Sequence, residues 1–199
     1  MPLTNYALDK FVSQQLSQLT ECNAPDISGH YSQAKYWVSN FVLNSIFGGS
    51  ASKEERTFTF FFLRRVEAAF TEYGYARQAL IEFASASAKQ PSLYFRALHH
   101  FEMTIAMLWQ AYDLIGATLD EKHLFFKKGE TNSYQRLNWT YNKSRHFSPS
   151  ELSAENINAI WITNSGIQTE EEVLSYSELE NLLLEVGGLA EKISQARKN

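Results

Sequence analysis

FTFFFLRRVEAAF, residues 58–70, is the stretch on which the fold turns. Its apolar side chains recur at helical spacing. Phe58, Phe61, Phe62, Val66 and Phe70 make one stripe, and Phe60 and Leu63 widen it beyond the face of an ordinary surface helix. A helix that is apolar on more than one face belongs at the centre of a bundle, so we expect an all-α fold: an antiparallel bundle of about five or six helices. Ser52, with Glu55 three residues later, forms a capping-box pattern that opens this helix near residue 53, and the periodicity carries it into the eighties.

Working outward, residues 4–20 read as an amphipathic helix through Leu8, Phe11, Val12, Leu16 and Leu19, broken by CNAPDISG. A second helix spans roughly 31–47, with Ala34, Trp37, Val38, Phe41, Val42, Ser45 and Ile46 on its stripe, and stops at Gly48 and Gly49. Pro91 suits a first helical turn and starts a long helix through Leu98, Phe101, Ile105, Leu108, Trp109, Tyr112 and Ile115. Gly116–Lys128 reads as a less regular connection. ETNSYQRLNWTYNKSRH (130–146) then forms a further helix that ends before Ser148 and Pro149. Two strand-like runs, AIWIT (159–163) and EVLSY (172–176), flank NSGIQTEE and are compatible with a small β-hairpin. Ser177 and Glu180 form a second capping-box pattern ahead of a last helix with Leu179, Leu182, Leu183, Val186, Leu189 and Ile193 on its stripe.

No internal repeat or interdomain linker interrupts this pattern, so residues 1–199 are expected to be one domain. Hydrophobic residues make up 44% of the chain, enough for one substantial core, and Gly and Pro are scarce at nine and four. A single cysteine, Cys22, rules out an internal disulfide and fits a reducing compartment. With no signal-type start and no run of 18 apolar residues, a cytoplasmic protein without a membrane partner is expected. The net charge of −4 argues against whole-surface attraction to nucleic acid, but it hides a division. From Lys122 to His146 six Lys or Arg face one acid, a net of +5. From Phe147 to Glu191 there are nine glutamates and no Lys, Arg or Asp. Such blocks mark two sides of one molecule or surfaces that meet in a dimer, and solvated helix faces account for either alone.

The motifs narrow the chemistry. No phosphate loop, dinucleotide-binding pattern, nucleophile elbow or His-x-x-x-His occurs, and no cofactor is expected. Di-iron bundles use Glu-x-x-His pairs. Here His99 and Glu102 have the reverse order, His100 is adjacent, and no second helix matches, so a metal enzyme is the third-ranked reading. The remaining feature is RLNWTYNKSRHF (136–147). Asn142 and Lys143 lie four and three positions before His146 and share its helix face, with Arg145 about a quarter-turn round. Lysine and arginine bind phosphate, asparagine orients a hydroxyl, and histidine exchanges a proton near neutral pH, as metal-free RNA cleavage requires. Tyr134, Trp139 and Tyr141 would stack on unpaired bases if exposed. The plainer account is that cations gather at a helix C-terminus because of the dipole, and aromatic residues fill the core.

This order of long helices, Tyr-Asn-Lys-Ser-Arg-His at the end of a later helix and an acidic C-terminal helix resembles the HEPN superfamily of small helical bundles. The resemblance implies a homodimer, and in many members a metal-independent ribonuclease using arginine, a polar residue, three further residues and histidine. Asn142 and His146 match the polar and histidine positions; Tyr141 stands where the active pattern has arginine. A phenol lacks the guanidinium's charge and paired donors. Arg136, about 15 Å back along a continuous helix, is poorly placed to replace it, which leaves Arg145 or Lys143. The resulting expectation is an RNA-associated protein of a defence or toxin–antitoxin type. His146 is its acid/base group, Asn142 and Arg145 complete the catalytic set, and Lys143, Arg136 and Tyr141 contact RNA or phosphate. The rival expectation is a non-enzymatic module that binds a protein partner through its aromatic helices and acidic last helix.

Overall fold

Six α-helices and three short strands make up the regular structure of the computed structural model, which describes residues 4–31, 34–48, 52–121, 124–146, 152–153 and 156–195. In chain order these are α1 (Asn5–Phe11), α2 (Trp37–Gly48), α3 (Lys53–Ser85), α4 (Pro91–Thr118), α5 (Ser133–Arg145), β1 (Trp161–Ile162), β2 (Gly166–Gln168), β3 (Val173–Ser175) and α6 (Tyr176–Gln195). The fold is an all-α bundle with a small antiparallel sheet before the last helix. No helix among the described residues is long and apolar enough to cross a membrane.

The α3–α4 hairpin is the most extensive interface and forms the centre of the bundle. Ser52 Oγ accepts the Glu55 N–H at 3.1 Å while the Glu55 carboxylate accepts the Ser52 N–H at 2.7 Å, so α3 starts where its capping box requires. Pro91 occupies the first turn of α4. Between the two helices Tyr73 meets Phe101 edge-on with ring centroids 6.2 Å apart, and Phe83 meets Tyr94 at 5.9 Å. Phe62, Leu63, Val66 and Leu80 are fully buried alongside them, each such burial contributing about 1.5–3 kcal/mol. Phe61, expected on the core stripe, is instead exposed, and Leu63, expected only to widen it, is sealed. The buried face is set by α4, which covers the side of α3 carrying Leu63, Val66, Tyr73 and Leu80. α6 closes the bundle with Leu179, Leu182, Leu183 and Val186.

Several boundaries differ from the sequence reading. The helix expected over 4–20 ends at Phe11, because Asp9 accepts the Ser17 N–H at 2.7 Å and its hydroxyl at 2.6 Å, folding the chain back through a left-handed Gln15. The second helix begins at Trp37, after a 3₁₀ turn over Ala34–Tyr36. The two strand-like runs do not pair with each other. β2 forms inside the segment expected to turn, and it pairs antiparallel with both β1 and β3. The capping box of α6 also lies two residues earlier than expected. Ser175 Oγ accepts the Glu178 N–H at 3.3 Å, and Glu178 accepts the Ser175 N–H at 3.0 Å. Gly49, Lys122, Ser148, Pro149, Glu151 and Glu155 lie outside the described residues.

Two glycines separate backbone freedom from close approach. A Cβ on Gly166 would sit 2.2 Å from the Leu174 carbonyl oxygen, whereas a Cβ on Gly74, in the middle of α3, would meet nothing within 4 Å. Gly166→Ala should therefore destabilise the chain by about 1–3 kcal/mol through forced displacement of β3. Gly74→Ala should stabilise it by about 0.5–1 kcal/mol through reduced freedom of the unfolded helix segment. Urea midpoints of the two variants moving in opposite directions check both expectations.

Candidate functional site

α5 is positioned by its own ends and by α4. Asn132 caps it, its side chain accepting the Gln135 N–H at 2.9 Å, and Leu137 and Thr140 turn inward. Along α4 the contacts follow an antiparallel register. Tyr112 meets Tyr134 with centroids 5.2 Å apart, and Trp109 stacks flat on Tyr141 at 4.5 Å. The Trp109 indole N–H donates to Asn138 Oδ1 at 2.9 Å. Two turns before Trp109 on the same α4 face lies Glu102, and there Arg145, one turn beyond Tyr141, comes within electrostatic reach of it.

The basic and acidic blocks meet inside one chain. Arg136 Nε donates to Glu178 Oε1 at 2.8 Å, its Nη2 donates to the same oxygen, and its Nη1 reaches the Thr131 carbonyl at 3.1 Å. Lys143 Nζ lies 3.2 Å from Glu171 and 5.2 Å from the Trp139 ring centroid. The Tyr134 hydroxyl donates to Glu185, and burial together with that carboxylate pushes the phenol up to about 12. Burial alone would raise the Glu178 carboxyl, but hydrogen bonds from Arg136 and Ser175 outweigh it and hold Glu178 below the usual carboxylate range.

Three of the expected site residues remain together at the helix end: Asn142, Arg145 and His146 are all exposed. The His146 N–H closes the last turn on the Asn142 carbonyl at 2.8 Å, and Asn142 Nδ2 donates to Asn138 Oδ1 at 3.1 Å. The Arg145 guanidinium lies 5.9 Å from the Tyr141 ring centroid. Tyr141 itself is half-buried in the stack with Trp109, so its ring serves the bundle. Arg136 and Lys143 are directed away from the cluster, toward α6 and the loop before β3.

In the sequence Glu102 stands out only by its spacing from His99, as a metal ligand or, more plainly, as a partly exposed or hydrogen-bonded pair. Among the described residues no three His, Cys, Asp or Glu gather in a metal-holding arrangement. Glu102 instead faces the end of α5, half-buried and with no hydrogen bond or ion pair among the described residues. Burial raises its carboxyl above the ordinary range, against the opposing pull of His99 and Arg145. The available signal was the seven-residue recurrence of Phe95, Glu102 and Trp109 on one helix face. The chain matches no protein-family model, no curated protein and no solved structure.

Arg136→Ala should cost about 1–2 kcal/mol at neutral pH, the range for a partly exposed charge-assisted hydrogen bond. Because the folded-state Glu178 carboxyl is depressed, the stability it contributes is complete above its unfolded value and is lost as pH falls through the folded one. The gap between wild type and Arg136→Ala in urea melts should accordingly narrow on acidification; a gap independent of pH would contradict the pairing.

Proposed function

We propose that this chain is an HEPN-like, RNA-associated protein that holds a phosphodiester at the end of α5 through Arg145, Asn142 and His146. The observation that carries this reading is the joint exposure of these three side chains while Arg136 and Lys143 are held by Glu178 and Glu171. A guanidinium presents two directed donors to two phosphate oxygens. The Asn142 amide supplies a donor and an acceptor suited to a ribose hydroxyl, and an imidazole exchanges protons near neutrality without a metal. Arg145 also answers the departure at Tyr141. One turn on, it shares that residue's helix face and lies over its ring, so the charge missing from position 141 is supplied from 145. On this reading the protein acts in the cytoplasm as a homodimer.

Fluorescence anisotropy with a labelled single-stranded RNA in excess chelator tests it. Arg145→Ala should weaken binding about tenfold and reduce the salt slope by about one phosphate contact, roughly 0.7 for a single strand. Arg136→Ala should leave affinity nearly unchanged. Equal affinity of Arg145→Ala and wild type would overturn the reading.

The homodimer of this reading has a candidate contact on α2. This helix has no charged residue between Trp37 and Gly48 and exposes Val42, Leu43 and Ile46 on one face. An uncharged apolar face suits a second copy of the chain, because an isologous contact sets each patch against itself and any charge there would meet its like. Ile46→Glu should convert a dimer to a monomer in light scattering; a monomeric wild type would remove the contact.

A further inference from the structure

Metal-free cleavage of RNA needs a base at the 2′-hydroxyl and an acid at the departing 5′-oxygen, on opposite sides of a phosphorus whose charge is held between them. The helix end described above supplies an acid and a phosphate anchor, and α4 supplies the missing group. Glu102 lies on the α4 face that meets the last turn of α5. The charged or titratable groups around it are His99 on its own helix, Arg145 from α5 and, more distantly, the Tyr94 phenol. A carboxylate locked to Arg145 would be too acidic to take a proton from a hydroxyl. Glu102 stays outside ion-pair distance, and its burial keeps the carboxyl above the ordinary range. Its oxygens receive no hydrogen bond from any described residue, which leaves them free for a substrate proton.

We infer that Glu102 is the general base of a phosphodiester transesterification at this site, with Arg145 on the phosphate and His146 as the general acid. The inference rests on the RNA reading above and deepens it. Glu102 takes the proton of a ribose 2′-hydroxyl as the 2′-oxygen forms a bond to the adjacent phosphorus. The bond from phosphorus to the 5′-oxygen breaks, and protonated His146 gives its proton to that oxygen. The products are a 2′,3′-cyclic phosphate and a free 5′-hydroxyl, with no water, metal or redox partner consumed. Arg145, exposed beside His146 in the chain and within electrostatic reach of Glu102, is the cation that would meet the negative charge of the five-coordinate phosphorus.

The test incubates the full chain with a single-stranded RNA oligonucleotide in excess chelator, beside the same strand carrying 2′-deoxyribose at the cleaved position. Wild type should yield a cyclic phosphate from the first strand and nothing at the substituted linkage. Glu102→Gln should bind RNA within about twofold of wild type and cleave at least about a hundredfold more slowly, the usual scale of a lost general base. The wild-type rate should fall on acidification below a midpoint lying above the ordinary carboxylate range, a limb that Glu102→Gln lacks. Cleavage by Glu102→Gln at the wild-type rate, or RNA bound by wild type without cyclic phosphate, overturns the role of Glu102 and leaves the binding site standing. Wild type that does not bind RNA overturns both.

Discussion

Glu178 closes two structures with one carboxylate. Its Oε2 accepts the Ser175 N–H and hydroxyl and so caps α6, while its Oε1 accepts Arg136 from α5. The sheet's last strand, the first turn of α6 and the first half of α5 are therefore tied at one point. α5 is short, and most of its side chains are only partly buried. Beside this tie, Tyr134 on Glu185, Lys143 on Glu171 and the aromatic contacts with α4 fix its direction. Because the tie sits near the N-terminal half of α5, the C-terminal turn is carried outward as a rigid continuation, and Asn142, Arg145 and His146 reach solvent together. The ion pair, made two turns away, is thus one of several contacts that aim the end of α5.

The α4–α5 interface explains why that projection is accurate. It is built from flat, stiff groups: Trp109 between Phe126 and Tyr141, with centroids at 5.3 and 4.5 Å, and Tyr112 against Phe125 and Tyr134. Aromatic rings have few rotatable bonds, so ordering them costs less entropy than ordering aliphatic chains of equal area. Asn138 adds direction, accepting from the Trp109 indole and from Asn142 at once. A slip of one residue along α5 would break both bonds and the stack together. The interface therefore has one good register, and that register sets Arg145 opposite Glu102.

What was legible in the sequence follows from how local each signal is. The α3 start could be read because Ser52 and Glu55 satisfy each other within one turn. The bundle could be read because aromatic periodicity persists through α3 and α4. The truncation of the first helix could not, since it rests on Asp9 reaching Ser17 and on Gln14 bonding to the chain at Asn158. β2 escaped because it is only three residues long and is held by neighbours on both sides, not by its own composition. For the capping box of α6 two Ser-x-x-Glu pairs were available, at Ser175–Glu178 and Ser177–Glu180, and periodicity alone does not choose between them. The choice comes from β3 ending at Ser175 and from Arg136 arriving across the bundle. At the candidate site, the α5 end was visible as a local motif, whereas Glu102 became a neighbour only through the fold.

The pairing of the two charge blocks bears on what kind of ligand this surface can select. A face with six unpaired cations would attract any polyanion, and its affinity would collapse with salt. Here Glu178 and Glu171 pair with Arg136 and Lys143, while Lys127, Lys128 and Arg145 stay exposed with no ion pair among the described residues. On the proposed reading, recognition of a single strand would rest on directed hydrogen bonds from one guanidinium, one amide and one imidazole to its ribose and phosphate.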